Sequence, residues 1–77
     1  VLGDRLVTPL VVVRRIRALD PDARVVHQVG SHQKWRLGDG SEVMVPIHPG
    51  DIPTGTLKSI ERQGSKRLGP RWLRRSS

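Results

Sequence analysis

A chain of 77 residues has room for one domain only. At this size folding buries about 60% of the surface the unfolded chain exposes, so the core is thin and no separate cofactor and substrate domains fit. The formal net charge of +7 points to an acidic partner, nucleic acid first. The absence of cysteine excludes disulfides, thiolate metal sites and cysteine nucleophiles.

The charge is unevenly spread. Residues 1–61 carry eight basic and seven acidic side chains, a net of +1, and residues 62–77 carry the other +6. The expected organisation is one domain over residues 1–77, with an ordered core over about 8–63 and a basic tail over 64–77. Such a tail is either a solvated terminus or an electrostatic arm for phosphates. The longest apolar run, Pro9 to Val13, is far too short to span a bilayer, and no secretory leader is evident. No membrane role is expected, and the missing cysteines favour a reducing cytoplasm.

Thr8-Pro9 reads as a helix start, with Thr as N-cap and Pro at the first helical position. Val12, Ile16 and Leu19 then recur at helical spacing, with Arg14 and Arg17 opposite, which predicts a helix over residues 9–19. Asp20-Pro21-Asp22 turns the chain. Residues 24–29 form a β-rich strand, Gly30-Ser31 a short connection, and residues 32–37 a second strand with Trp35 and Leu37 on one face. Asp39-Gly40 suits the positive φ values of a type I′ turn. A third strand follows over residues 41–46, with Val43 and Val45 on one side, Met44 on the other, and Pro46 ending it.

Residues 46–53 hold three prolines and a glycine, and so make a rigid loop. A second helix is expected over about 54–63, with Leu57 and Ile60 inward, Thr54 as cap and Gly64 at C′. A last short helix would start at Gly69-Pro70, carrying Trp72 and Leu73. The order α-β-β-β-α predicts an α+β domain: a three-stranded antiparallel meander with both helices on one face. That arrangement resembles double-stranded-RNA-binding domains.

Three histidines could carry chemistry. His32 opens the second strand directly after Gly30-Ser31, partly exposed and held by a sheet, which suits a general acid or base. Lys34 shares its strand face. A cation beside a base is what phosphodiester cleavage needs, one group to take the proton of the attacking hydroxyl and one to hold charge on the phosphorus. The same residues also fit a histidine that only closes a hairpin. His27 fits a satisfied side chain on either face of the first strand. His48 fits a loop anchor or a group reaching the face of His32. Their spacings of five and sixteen residues match no common zinc pattern, and Asp39 and Asp51 add no local cluster, so no metal or other cofactor is expected. Thr54-Gly55-Thr56 offers free amides at a helix start, with Lys58 one turn in. This fits a phosphate site as well as ordinary capping.

Read together, Gly30-Ser31-His32, Trp35, Val43-Met44-Val45-Pro46, His48-Pro49 and Gly55-Thr56-Leu57-Lys58-Ser59-Ile60 resemble the HicA toxins of type II toxin–antitoxin systems, over about residues 24–63. The resemblance implies the α-β-β-β-α fold and an mRNA interferase that cleaves RNA endonucleolytically. It makes His32 the catalytic residue and implies a HicB antitoxin as partner. The family is not known for a metal cofactor. Many relatives carry a second histidine after the motif, where this chain has Gln33. Relatives often carry glycine plus an aromatic residue after the first helix, where this chain has Asp20-Pro21-Asp22-Ala23.

The expected substrate is single-stranded mRNA. His32 would act as base on the 2′-hydroxyl or as acid on the leaving oxygen. Gly30, Ser31, Lys34, Arg36, His48, Gly55, Thr56 and Lys58 would contact RNA, and the arginine-rich tail would add salt-dependent affinity. Trp35 is expected in the core rather than as a stacking platform. Two rival readings are a non-catalytic module gripping duplex RNA across about 16 base pairs and a structural protein whose only ligand is another protein. A body with net charge near +1 is poorly furnished for the wide duplex contact.

Overall fold

A computed structural model describes residues 7–47 and 50–73. Its elements are α1 (Pro9–Leu19), β1 (Arg24–Val29), β2 (His32–Arg36), β3 (Glu42–Pro46) and α2 (Thr54–Leu68). The strands form one antiparallel sheet in the order β1-β2-β3. This is the α+β architecture expected from the sequence.

Local chemistry sets α1. The Thr8 hydroxyl accepts the Val11 N–H at 3.4 Å, Pro9 sits in the first turn, and the helix ends where the Asp20 N–H donates to the Ile16 carbonyl. Val12 and Ile16 are buried, but Leu19, expected inward, is 40% exposed. Arg17 turns its guanidinium over the Trp35 ring, 5.3 Å from the centroid, a cation–π contact that also shields the edge of the core.

Alternation divides the sheet. Trp35, Leu37, Val43 and Val45 are buried together with Val12 and Ile16 of α1 and Leu57, Ile60 and Leu68 of α2, so both helices cover one face. The register His32↔Pro46, Lys34↔Met44 and Arg36↔Glu42 puts the other members of β2 and β3 on the open face. An irregularity between Val25 and His27 lets β1 pair Val25 with Trp35 while His27 lies opposite Lys34 and Val29 opposite His32. His27 is therefore exposed on the open face. Trp35 lies in the core, as expected, and its indole N–H donates to Gln33 Oε1 at 3.2 Å. Gln33 thus serves the opposite face from His32.

One turn and one helix cap differ from expectation. Asp39 does not adopt a positive φ, so the β2–β3 connection is not type I′. Gly40 alone does, at 92°, with its N–H on the Leu37 carbonyl and the Leu37 N–H on the Ser41 carbonyl. This is the three-residue loop with a left-handed glycine. Thr54 does not cap α2. Pro53 occupies the cap position and no side chain caps the helix start.

The largest correction concerns residues 64–73, expected as the start of a basic tail. Gly64 lies inside α2, which runs on to Leu68 and ends at Gly69 (φ 96°), whose N–H donates to the Ser65 carbonyl. Gly64 is there for space: a Cβ would lie 3.1 Å from Trp72 Nε1. Residues 70–73 form a turn rather than a helix, and Trp72 and Leu73 are buried in the core. Residues 74–77, including Arg74 and Arg75, lie outside the described residues.

Arg67 closes the fold against the α1–β1 corner. The Asp20 carboxylate is 0% exposed and accepts the Gly38 N–H at 2.7 Å, the Asp22 N–H at 3.1 Å and Arg67 Nε at 3.1 Å. The Arg67 hydrogen bond holds the carboxyl below its ordinary value against the opposing effect of burial. Stability from a depressed carboxylate is present above its unfolded pKa and fades as pH falls through the folded one. Asp20→Asn should therefore cost about 2 kcal/mol near neutral pH, mostly from lost hydrogen bonds to a charged acceptor. Arg67 is 39% exposed, so screening keeps the ion-pair share small. In urea titrations the gap between wild type and variant should narrow below about pH 4. An equal gap at pH 6 and in strong acid would show that the charge of Asp20 contributes nothing.

Candidate functional site

Gly30 and Ser31 form the β1–β2 turn. Gly30 has a φ of 55°, as the first loop position of a type II′ turn requires. A Cβ there would meet nothing within 4 Å, so conformation and not space selects glycine. The Ile47 N–H donates to the Ser31 carbonyl, extending the β2–β3 ladder past Pro46. The turn and this bond fix the first residue of β2, which is His32.

His32 borders an open cleft of about 390 Å³ lined also by Met44 and Pro46 of the sheet and by Pro53, Thr56, Ser59, Ile60 and Gln63. At 100° per residue, positions 56, 59, 60 and 63 form one flank of α2. That flank lies along β3, where Gln63 Oε1 accepts the Met44 N–H at 2.8 Å and Gln63 Nε2 donates to Ser59 Oγ at 3.3 Å. The amides of Thr54, Gly55 and Thr56 belong to the helix start, where no side chain caps them. They carry the positive end of the helix dipole. The cleft thus combines an imidazole, two hydroxyls and an uncapped helix start. That set can move a proton and hold an anion.

The expected contact residues separate into groups. His32 and Thr56 are brought together as walls of the cleft. Gly30 and Ser31 form the turn directly before His32, and Gly55 stands beside Thr56 in the exposed first turn of α2, but these three do not line it. Lys34 and Arg36 follow His32 along the open face, but both are paired with Glu42, Lys34 Nζ at 3.8 Å and Arg36 Nη2 at 2.9 Å. Arg36, then Lys34, hold the Glu42 carboxyl below its ordinary value. Lys58 is not at the cleft; it lines a groove on the far flank of α2. His48 falls outside the described residues.

Ser59 and Gln63 were not foreseen in the site. Their spacing from Thr56 (three and seven residues) places them on its helical flank, and a helical projection of residues 54–68 is the signal that finds them. Among the described residues no three His, Asp or Glu side chains gather as a metal site, and no helix is long and apolar enough to cross a membrane.

This α+β domain sets an exposed histidine and an uncapped helix start on one cleft, and comparison with known families gives it a class. Residues 20–65, more than half of the chain, match the family model of the HicA toxin of bacterial toxin–antitoxin systems. The chain belongs to that family. No curated protein matches it. The matched span runs from Asp20 through the three strands and most of α2, and leaves out α1 and the Trp72 turn.

Proposed function

We propose that this chain is an mRNA interferase that cleaves single-stranded RNA endonucleolytically at the His32 cleft. The observation that carries the reading is that His32 and the uncapped start of α2 face one cleft, so one group can move the proton while the other holds the phosphate. As base, the His32 imidazole takes the proton of the 2′-hydroxyl. The 2′-oxygen then bonds to phosphorus, the bond to the 5′-oxygen breaks, and that oxygen leaves with a proton taken from water. The products are a 2′,3′-cyclic phosphate and a 5′-hydroxyl. As acid, the imidazolium instead gives its proton to the leaving oxygen, and water takes the proton of the 2′-hydroxyl.

Thr56 and Ser59 would donate to phosphate oxygens, with the Gly55 and Thr56 amides aimed at the same charge. Gly30 and Ser31 would border the strand, and Lys34 would lie nearest of the open-face cations. Glu42 partly neutralises Lys34 and Arg36, which weakens the open face as a duplex-binding surface and supports cleavage of a single strand over the duplex-binding alternative. The chemistry needs no metal. The partner is a HicB antitoxin that covers the cleft and is drawn to a basic chain by complementary charge. Both act in the cytoplasm, where mRNA is translated.

The test is incubation of wild type with a labelled, unstructured RNA in EDTA, followed by end-group analysis. Cleavage leaving cyclic phosphate is the expected result. Cleavage only on addition of a divalent metal would overturn the metal-free mechanism. Tight binding without cleavage would assign the chain to the binding-module alternative.

A further inference from the structure

Three cations on the far flank of α2 take no part in the His32 cleft. Lys58, Arg62 and Arg71 line a second open groove of about 390 Å³, with Glu61, Ser65 and Pro70. At 100° per residue, positions 58, 61, 62 and 65 lie opposite the flank that faces the cleft. Among the described residues no ion pair engages Lys58, Arg62 or Arg71.

Arg71 is placed there at a conformational cost. It is the one non-glycine residue among those described with a positive φ, 61°, a region that L side chains other than Asn and Asp rarely enter. Its neighbours hold it there: Trp72 Nε1 donates to the Glu61 carbonyl at 2.8 Å and the Leu73 N–H donates to Glu61 Oε2 at 3.2 Å. Strained residues of this kind persist where the surroundings over-determine them, and they cluster at ligand clamps. Here the strained turn adds a third cation to the two that α2 supplies.

We propose that this groove binds phosphates of the RNA strand whose scissile bond lies in the His32 cleft, so that the substrate crosses the N-terminal half of α2. The inference rests on the RNA-cleavage reading above and extends it to a substrate path. Lys58 and Arg62 are one turn apart, ~6 Å along the helix at 1.5 Å per residue, a step comparable to that between successive phosphates of an extended strand. Between cleft and groove the first turn of α2 presents Gly55, where a Cβ would meet nothing within 4 Å. No side chain stands between the two flanks there, and the strand can pass close to the helix amides. Protein partners anchor through buried aromatic or aliphatic groups. This groove offers Pro70 alone, and its charge fits a phosphate backbone.

The experiment uses the full chain and a 2′-O-methyl RNA of about 12 nucleotides, within the usual span of single-strand sites. That RNA cannot be cleaved through its 2′-oxygen, so binding is read apart from catalysis. The variant is Arg62→Ala with Arg71→Gly; glycine accepts the φ of residue 71, so that cation is removed without disturbing the turn. The salt slope of binding should fall by about 0.7 for each cation, roughly 1.4 in all. Cleavage of a dinucleotide, which reaches only the cleft, should be unchanged, while kcat/KM for a long RNA falls several-fold. An unchanged slope and unchanged long-RNA cleavage, in a preparation whose wild type binds and cleaves, would overturn the groove and leave the function standing. A wild type that neither binds nor cleaves RNA would remove the function itself. An unchanged RNA slope with weakened binding of polyglutamate would assign the groove to acidic protein segments instead.

Discussion

His32→Ala should lower single-turnover RNA cleavage by about 10²–10⁴-fold, the range that a positioned general acid or base supplies, and leave the fold in place. The fold should survive because His32 is exposed at the start of β2 and none of the hydrogen bonds among the described residues uses its imidazole. Its backbone, by contrast, is held by the Gly30 turn and by the Ser31–Ile47 bond, and alanine keeps both. A surface substitution of this kind changes stability by about 0.5 kcal/mol or less. The loss should therefore appear in kcat with little change in the binding of an uncleavable RNA. Lys34→Ala should cost less than about tenfold, because Glu42 already draws on that ammonium and an exposed cation acts through screened charge. Cleavage that persists in purified His32→Ala would remove the histidine from the mechanism and direct attention to the hydroxyls of Thr56 and Ser59 across the cleft.

How far the sequence could be read depends on the range of each interaction. The Thr8-Pro9 start of α1, the shared face of Trp35 and Leu37, and the inward pair Val43 and Val45 follow from neighbours within one turn or one strand, and all are found as expected. The end of α2 is decided otherwise. Gly64 and Gly69 are equally good stop signals locally, and the choice is made by Trp72, whose indole needs the space above Gly64. Asp20 reads as a turn residue because its partner Arg67 is 47 positions away. The Asp39-Gly40 pair serves more than one hairpin geometry, and the sequence does not say which. For the site, His32 and the start of α2 are visible as motifs. The placing of Lys58 on the wrong flank for the cleft follows from helical projection once α2 is known to be one continuous helix.

Trp72→Ala should be the most damaging single substitution in the core, costing about 3–5 kcal/mol. A domain of this length has a total stability of only about 4–12 kcal/mol, at 0.05–0.15 kcal/mol per residue, so much of the variant should be unfolded or lie close to its urea midpoint. Trp72 is 0% exposed, its Nε1 donates to the Glu61 carbonyl at 2.8 Å, and Gly64 leaves its ring the room to lie against α2. Removing the ring opens a cavity between α2 and the chain end that neither side can close, because Gly64 has no side chain to fill it. Trp72→Phe keeps part of the ring and loses the hydrogen bond, so it should cost less, about 1–2 kcal/mol. Truncation after Leu68 should cost more than the alanine variant, since it removes the same indole together with buried Leu73 and the Gly69 N–H that ends α2. A truncated chain as stable as wild type in urea would return residues 69–77 to the role of a tail. The expected loss also bears on function. The indole holds the C-terminal half of α2, whose N-terminal half forms the second wall of the His32 cleft. The family match ends at residue 65. The brace that keeps this wall in place is therefore supplied by an indole outside the matched span, and the shape of the His32 cleft depends on a residue that does not line it.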